Sequence, residues 1–463
     1  MKSPLNLWSS GISSNDSNIF KYVALLMSKG GMPYKDTFDH KGPLLYIINY
    51  LGNLLSYYRG IWIIELISLS VFTFALYKIA RLSVNKLLSC FLVLFILTQI
   101  GDYFEGGNLS EEYALPFIAV SLFIFLDYFI NNRISTCRLI ICGFSFSAVL
   151  MLRANMVSIW IVFCLAVLFK SLKENKVFPV RFLLFFLIGC AIMLLPLFIW
   201  LIHGNAFADF INTYFVFNRE YIANQRDENA FGIFPVLKLW FDSPMCLLSL
   251  IATFFLLYTK KNVRINVIYL IYEICTLILI SMSGKTFMHY GLILLPMYIY
   301  PVSALIQYIN SHERSRSVTL LFLLYLTINT VYPVWADNIG NAVATWSSPA
   351  ESLAVDDDTR NLLNQIESST SESDPIQVIG NYDFIYVASH RLSASKYSYQ
   401  IPVCSIDPKM YTEFQNDLKT KRPLLVVLQN YRDPAYIEYF STINNYELIY
   451  ATKDGLGLYR LKR

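Results

Sequence analysis

The run Phe182-Leu-Leu-Phe-Phe-Leu-Ile-Gly-Cys-Ala-Ile-Met-Leu-Leu-Pro-Leu-Phe-Ile-Trp-Leu-Ile202 contains no charged residue. A helix needs roughly 20 mostly apolar residues to cross the hydrocarbon of a bilayer, and this run supplies them. Nine further stretches share its character: 60–80, 86–100, 113–130, 138–153, 155–171, 239–258, 266–284, 290–309 and 318–336. Over the 463 residues, hydrophobic side chains make up 55% and charged ones 15%, with a mean hydropathy of +0.46. Soluble proteins carry about 25% charged residues, so too few are present to cover a water-facing surface. An ordinary soluble enzyme, a disordered chain and a disulfide-stapled secreted module are excluded. The expected fold is a polytopic α-helical membrane protein of about ten spans with one polar portion. The net charge of +4 is too small to point to nucleic acid.

Basic residues set the sidedness. Alternate short loops hold Lys78, Arg81 and Lys86; Arg133 and Arg138; Lys170, Lys173, Lys176 and Arg181; Lys260, Lys261 and Arg264; Arg314 and Arg316. The opposite loops hold only Arg153, Arg219, Arg226, Lys238 and Lys285, and the loop 101–112 has acids alone. The first set is expected to face the cytoplasm, with both termini on the other side. The apolar run 42–58 begins Gly-Pro and contains Asn49 and Asn53, so it is read as a helix in the outer interface rather than a span. Residues 1–10 contain no apolar run of signal-peptide length.

Two domains are expected: a membrane domain over 1–336, with its external loops, and an extracytoplasmic α/β domain over 337–463. The latter opens on a polar linker containing Asp356, Asp357 and Asp358. It continues with β-like runs at 376–380, 424–429, 446–452 and 456–461 and a helical pattern at 410–418. Six of the eight cysteines lie in spans, and Cys404 alone lies in the tail, so no internal disulfide is expected.

Four polar motifs are candidates for chemistry. Gly11-Ile-Ser-Ser-Asn-Asp-Ser-Asn-Ile-Phe20 places Asp16 before an amphipathic segment, where it is expected to cap the helix; capping and catalysis are compatible. Pro33-Tyr-Lys-Asp-Thr-Phe-Asp-His-Lys-Gly-Pro-Leu-Leu45 packs Asp36, Asp39, Lys35, His40 and Lys41 beside the interfacial helix. Those cations either anchor the helix or meet a lipid phosphate. Glu105-Gly-Gly-Asn-Leu-Ser-Glu-Glu-Tyr113 sends Glu111 and Glu112 into the next span, where the helix dipole favours them. Ser283-Gly-Lys-Thr-Phe-Met-His-Tyr290 carries Lys285 and His289, four apart. Its Gly-Lys-Thr is not a phosphate loop, because Leu279 stands where the first glycine is required. Glu65, Arg153 and Glu273 are charges within or at the end of spans, which are costly and often functional. All four motifs fall on one side of the membrane and are expected to line one external site.

Together these residues resemble the GT-C superfamily of polytopic glycosyltransferases, and in particular bacterial members akin to protein O-mannosyltransferases and lipid A aminoarabinose transferases. The resemblance rests on Asp16-Ser17 with Phe20; on Pro33-Tyr34, Asp36 and Phe38-Asp39-His40-Lys41-Gly42-Pro43-Leu44; on Glu105-Gly-Gly-Asn with Glu111-Glu112-Tyr113; and on His289-Tyr290 before a span with Pro296. Ser395-Lys-Tyr-Ser-Tyr399 in the tail also fits. Members carry a helix before the Asp16 loop, which this sequence departs from. The resemblance implies transfer of a sugar from a polyprenyl-phosphate carrier to an extracytoplasmic acceptor (a cell-envelope glycan, lipid or protein), usually with inversion. On it, Asp16 is the expected general base. Glu111, Glu112 and Asp39 orient the acceptor or a metal. His40, Lys41, Arg153, Lys285 and His289 bind the donor phosphate. A divalent ion is left open, since no residues show metal-ligand spacing. The alternatives are a transporter or flippase for a lipid-linked sugar, and a non-catalytic envelope-assembly protein.

Overall fold

The computed structural model describes residues 3–9, 11–174, 178–224, 233–241, 244–260, 262–282, 287–311, 317, 324–325, 327–347, 354–441, 443 and 445–462. Among these, six helices are long and apolar enough to span a bilayer: Ile61–Ala80, Lys86–Tyr103, Ser110–Asn131, Phe178–His203, Val263–Ser281 and Met288–Asn310. Shorter apolar helices are Pro43–Leu55, Thr136–Leu150, Ser158–Leu172 and Leu248–Tyr258. This is a multi-pass helical membrane protein with a small C-terminal sheet, as expected from the uncharged runs. Nine of the ten stretches coincide with these helices; of the tenth, 318–336, the described part lies mainly in the π-helical turn Thr327–Val331 and the start of the helix Tyr332–Ser347.

The chain divides into two compact units. One comprises Met1–Ser3, Ile64–Phe198 and Gln225–Ser348. Its two most enclosed spans are Ser110–Asn131 and Met288–Asn310, in which 72% and 78% of the apolar window is buried, against 22% for Phe178–His203. The first two therefore form the packed centre, while the third keeps an apolar surface that in a bilayer faces lipid. The helix before Arg153 ends at Leu150 rather than 153, and Arg153 takes an extended conformation (φ −163°) ahead of a single 3₁₀ turn, Ala154–Met156. Arg153 thus lies in the connection, not within a span.

The other unit comprises Pro4–Ile63, Ile199–Asn224 and Pro349–Arg463. Its N-terminal part is the helix Asn15–Ser28, followed by Pro43–Leu55. The second starts where the sequence provides Pro43 in the first turn and stops where Ser56 turns extended (φ −165°). Its sheet has the strands β1 (Gln377–Ile379), β2 (Leu425–Leu428), β3 (Tyr446–Ala451) and β4 (Gly457–Leu461), in the order β1-β2-β4-β3. The β1–β2 pair is parallel and the others antiparallel. Both β1 and β2 are fully buried, as apolar strands covered on two faces must be. The acids expected in a linker instead start a helix, Asp357–Ser369. Asp356 caps it by accepting from the Thr359 N–H at 2.8 Å, and Asp357 and Asp358 sit in its first turn, where the helix dipole favours carboxylates.

Candidate functional site

In the first unit, polar groups gather at the N-terminal ends of its two most buried spans. Glu111 and Glu112 occupy the first turn of Ser110–Asn131, and both are buried. Arg153 donates to Glu111 and to the Tyr290 hydroxyl, and its guanidinium lies 4.2 Å from the Tyr290 ring centre. The Ser110 hydroxyl donates to the other Glu111 oxygen at 2.8 Å. His289, in the 3₁₀ turn Met288–Leu294, sits 2.7 Å through Nδ1 from Glu105 and 3.8 Å through Nε2 from Glu111. Glu105, His289, Glu111, Arg153 and Tyr290 therefore form one continuous polar chain. A buried cation of this kind is tolerated only when charge and hydrogen bonds compensate it, and Glu111 with Tyr290 does so.

Glu112 points the other way. One oxygen accepts from the Asn108 N–H at 3.0 Å, and the other is buried with no hydrogen-bond partner among the described residues. Glu65, buried in Ile61–Ala80, accepts from the Ser3 hydroxyl at 3.1 Å. The loop that fits over it takes four successive left-handed conformations: Glu105 (φ 43°), Gly106 (92°), Gly107 (83°) and Asn108 (59°). Gly107 is required there twice over, since a Cβ would also lie 2.5 Å from Glu65 Oε1.

In the second unit, Asp16 occupies the first turn of Asn15–Ser28 and is half-buried. It is not the cap: Ser14 precedes the helix and accepts from the Ser17 N–H at 3.3 Å. Ser and Asp are about equally good caps, so the sequence does not choose between neighbours two apart. No hydrogen bond to the Asp16 carboxylate occurs among the described residues, which leaves its oxygens open to a substrate.

Asp39 is buried and doubly held. Tyr46 donates to one oxygen at 2.6 Å and Tyr399 to the other at 2.7 Å. The segment around Asp39 also joins the 395–399 segment through its backbone, Phe38 N–H to Lys396 C=O at 2.8 Å. Burial, then Asp39, Asp383 and Asp16, raise the Tyr399 phenol well above its ordinary pKa, so it stays a donor. Asp383 is fully buried with one oxygen lacking a partner among the described residues, and burial pushes its carboxyl up to about 8. His40 stacks on Tyr221 at 5.4 Å, and its backbone carbonyl accepts from Asn218 at 2.8 Å. The Lys41 carbonyl accepts from Tyr34 at 2.7 Å, which fixes the backbone of a half-buried lysine.

The structure thus brings together Glu111, Arg153 and His289 in one unit, with Glu112 beside them. In the other it gathers Asp39 and His40, with Asp16 close enough to act on Tyr399. Lys285 lies outside the described residues. Among the described residues no group of three or more His, Cys, Asp or Glu side chains is arranged to hold a metal ion. Sequence reading assigned no role to Glu105, Tyr290, Tyr46, Tyr399 or Asp383. The first two and Tyr399 stand inside the quoted motifs; nothing local marks Tyr46 and Asp383.

A family model described as "Putative competence-induced protein Ccs4 N-terminal domain" matches residues 6–334. No curated protein matches the sequence. Solved structures do match. ArnT from Cupriavidus metallidurans bound to undecaprenyl phosphate superposes with a TM-score of 0.63 at 13% identity, covering 99% of this chain and 95% of that one. The apo form of the same protein gives 0.62 at 12% identity, covering 98% and 94%. The Archaeoglobus fulgidus oligosaccharyltransferase AglB, in complex with an inhibitory peptide and a dolichol-phosphate, gives 0.51 at 12% identity over 92% of this chain and 68% of that one. These likenesses show the fold alone, which this chain shares with ArnT and AglB.

Proposed function

The chain belongs to the family of the Ccs4 N-terminal domain, and from that premise we propose that it is an integral-membrane glycosyltransferase taking a sugar from a polyprenyl-phosphate carrier to an extracytoplasmic acceptor, with inversion at the anomeric carbon. The observation that carries this reading is the GT-C fold over 99% of the chain, in common with a protein solved with undecaprenyl phosphate bound. AglB was solved in complex with a dolichol-phosphate, the same kind of lipid. The donor proposed here is that class of lipid.

The chemistry follows from the side chains. An acceptor hydroxyl attacks the anomeric carbon, the bond from that carbon to the phosphate oxygen breaks, and its electron pair leaves on the phosphate. Asp16 takes the hydroxyl proton, because its oxygens are spent neither on the cap nor on a side-chain donor. A positioned base contributes about 10²–10⁴-fold. Phosphate leaves without protonation, so no second carboxylic acid is needed; its growing charge needs cations and donors. His40, Lys41, Arg153, Lys285 and His289 are the residues we assign to it. Arg153 is pre-set by Glu111 and Tyr290, so it loses little freedom on meeting an anion. Glu111 and Glu112 orient the acceptor. Asp39, with both oxygens held by phenols, acts as a positioning residue for the 33–45 segment. No step passes through a metal.

The test is to incubate the purified protein in lipid vesicles with radiolabelled polyprenyl-phosphate sugars and identify what becomes labelled. Transfer to an acceptor, with release of polyprenyl phosphate, is expected. Movement of the intact labelled lipid across the vesicle with no bond broken establishes the flippase reading instead. Neither transfer nor movement with any sugar favours a non-catalytic assembly protein.

A further inference from the structure

The C-terminal sheet ends in a polar cleft of about 710 Å³ that no step of the proposed chemistry uses. That volume falls within the roughly 300–1,000 Å³ of small-molecule sites. One wall is the loop after β2, which carries Asn430, Tyr431, Arg432 and Asp433; the other is the turn between β3 and β4, which carries Thr452, Lys453, Asp454 and Gly455. Leu428 of β2 pairs with Gly457 of β4, so both walls stand at the carboxyl end of β2. Open α/β sheets bind ligands outside the carboxyl ends of their parallel strands. The backbone of both walls is committed. Tyr431 N–H donates to Gly455 C=O at 3.1 Å, tying one loop to the other, and Asp433 N–H donates to Asn430 C=O at 2.7 Å. Thr452 closes the turn twice: its N–H donates to Leu456 C=O at 2.8 Å, and its hydroxyl oxygen accepts from Leu456 N–H at 2.9 Å. Tyr431 lies against β4 where Gly457 has no side chain; a Cβ there would be 2.9 Å from the Tyr431 Cβ. The side chains are not committed. Asn430, Lys453 and Asp454 are exposed, and among the described residues their side chains make no hydrogen bond or ion pair. Arg432 meets only Tyr431, donating through Nε to its hydroxyl at 3.0 Å, and Asp433 gives one oxygen to the Ala435 N–H at 2.9 Å and keeps the other.

We propose that this cleft binds an uncharged saccharide, a short stretch of glycan rather than an anion or a metal ion. The lining charges cancel, Arg432 and Lys453 against Asp433 and Asp454, so net charge selects neither sign. An anion placed there meets two carboxylates, and a metal ion meets two cations. What remains is a row of donors and acceptors held side by side on rigid loops. Arginine and lysine only donate, an ionised carboxylate only accepts, and the Asn430 amide does both. A sugar ring offers the complement, because each hydroxyl both donates and accepts and adjacent hydroxyls reach two such groups at once. Hydrogen bonds to ionised groups are the stronger kind, and they need no net charge on the ligand. Tyr431, half-buried on β4, supplies an apolar face for the C–H groups of a ring. The inference does not rest on sugar transfer: binding is read with no donor present, so either proposal can fail while the other stands.

Isothermal titration calorimetry of the full chain in phospholipid nanodiscs tests this (an alkyl-maltoside detergent would itself present a saccharide). The probes are maltotetraose, cellotetraose, chitotetraose and mannotetraose. At least one is expected to bind. Asp454→Asn and Lys453→Gln are exposed changes that leave every described hydrogen bond in place, and each is expected to weaken binding on the order of tenfold. Lys419→Gln, exposed in the same unit but outside the cleft, is expected to keep the affinity of the wild type. Binding of none of the four, or equal affinity in the wild type and both cleft variants, overturns the proposal. So does displacement of the saccharide by inorganic phosphate at equal concentration, which marks an anion site, and so does loss of binding in EDTA, which marks a metal site.

Discussion

Tyr399 donates its hydroxyl to Asp39 across 2.7 Å, joining residues 360 positions apart in sequence. With Tyr46 on the other oxygen at 2.6 Å, it fixes a buried carboxylate in the middle of the 33–45 motif. Removing one donor from a buried acceptor costs about 1–3 kcal/mol. Tyr399→Phe is therefore expected to lower the thermal unfolding midpoint, and Tyr399→Phe combined with Asp39→Asn to lower it by less than the sum of the two single changes. Additive losses would show that the pair does not interact.

Asp16→Asn keeps the shape of the side chain and removes its basicity. Because Ser14 supplies the cap, the helix Asn15–Ser28 is expected to remain intact. Transfer from a labelled polyprenyl-phosphate sugar is expected to fall about 10²–10⁴-fold, with expression and unfolding midpoint unchanged. Full transfer by this variant removes Asp16 as the base.

Arg153→Gln takes the guanidinium from between Glu111 and Tyr290. Breaking a buried ion pair from one side costs about 3–5 kcal/mol. The companion Arg153→Gln/Glu111→Gln is expected to regain part of that loss, because no buried charge is then stranded. A thermal-shift double-mutant cycle reads the coupling; a coupling of zero contradicts the ion pair.

Stability is expected to depend on pH through Asp383. Its folded-state pKa is raised to about 8, chiefly by burial, against about 3.9 when unfolded. The folded state then holds its proton more tightly. The stabilisation is complete below the unfolded value, is lost as pH rises through the folded one, and is gone above about pH 8. Across roughly pH 4–8 the wild type is expected to lose on the order of a few kcal/mol relative to Asp383→Asn, followed by unfolding in a pH series. Parallel curves for the two proteins would show that the carboxyl is not buried as described.

Gly107 and Gly30 separate strain from crowding. Both take left-handed angles, φ 83° and 87°, but a Cβ at Gly107 meets Glu65 and Phe104, whereas at Gly30 nothing lies within 4 Å. Gly107→Ala is expected to cost more than 2 kcal/mol, and Gly30→Ala about 1 kcal/mol. Equal shifts in unfolding midpoint would mean that the loop over Glu65 yields.

The spans were legible because an uncharged run of that length has few other fates, and the strands because alternation and turn residues bounded them. Helix ends were less so. Arg153 follows apolar neighbours, yet it leaves the helix at Leu150 to reach Glu111 and Tyr290, a tertiary demand that overrides the local pattern. The motifs marked Glu111, Arg153 and His289 by charge alone, since a carboxylate or guanidinium beside a span is costly. Tyr46 and Asp383 carry no such mark: Tyr46 reads as one more aromatic in an apolar helix, and Asp383 as an acid in a polar tail. Their roles depend on contacts that no local period encodes.

The segment bearing Asp39 and the strand-rich tail bearing Tyr399 share a core while lying at opposite ends of the translated message. At ribosomal speeds of about 5–20 residues per second, the 360 intervening residues take roughly 20–70 s to appear. Throughout that interval the early helices wait beside the translocon with an unfinished interior, exposed to quality-control proteases. A premature stop codon far downstream would therefore damage the first motif of the protein as surely as a change within it.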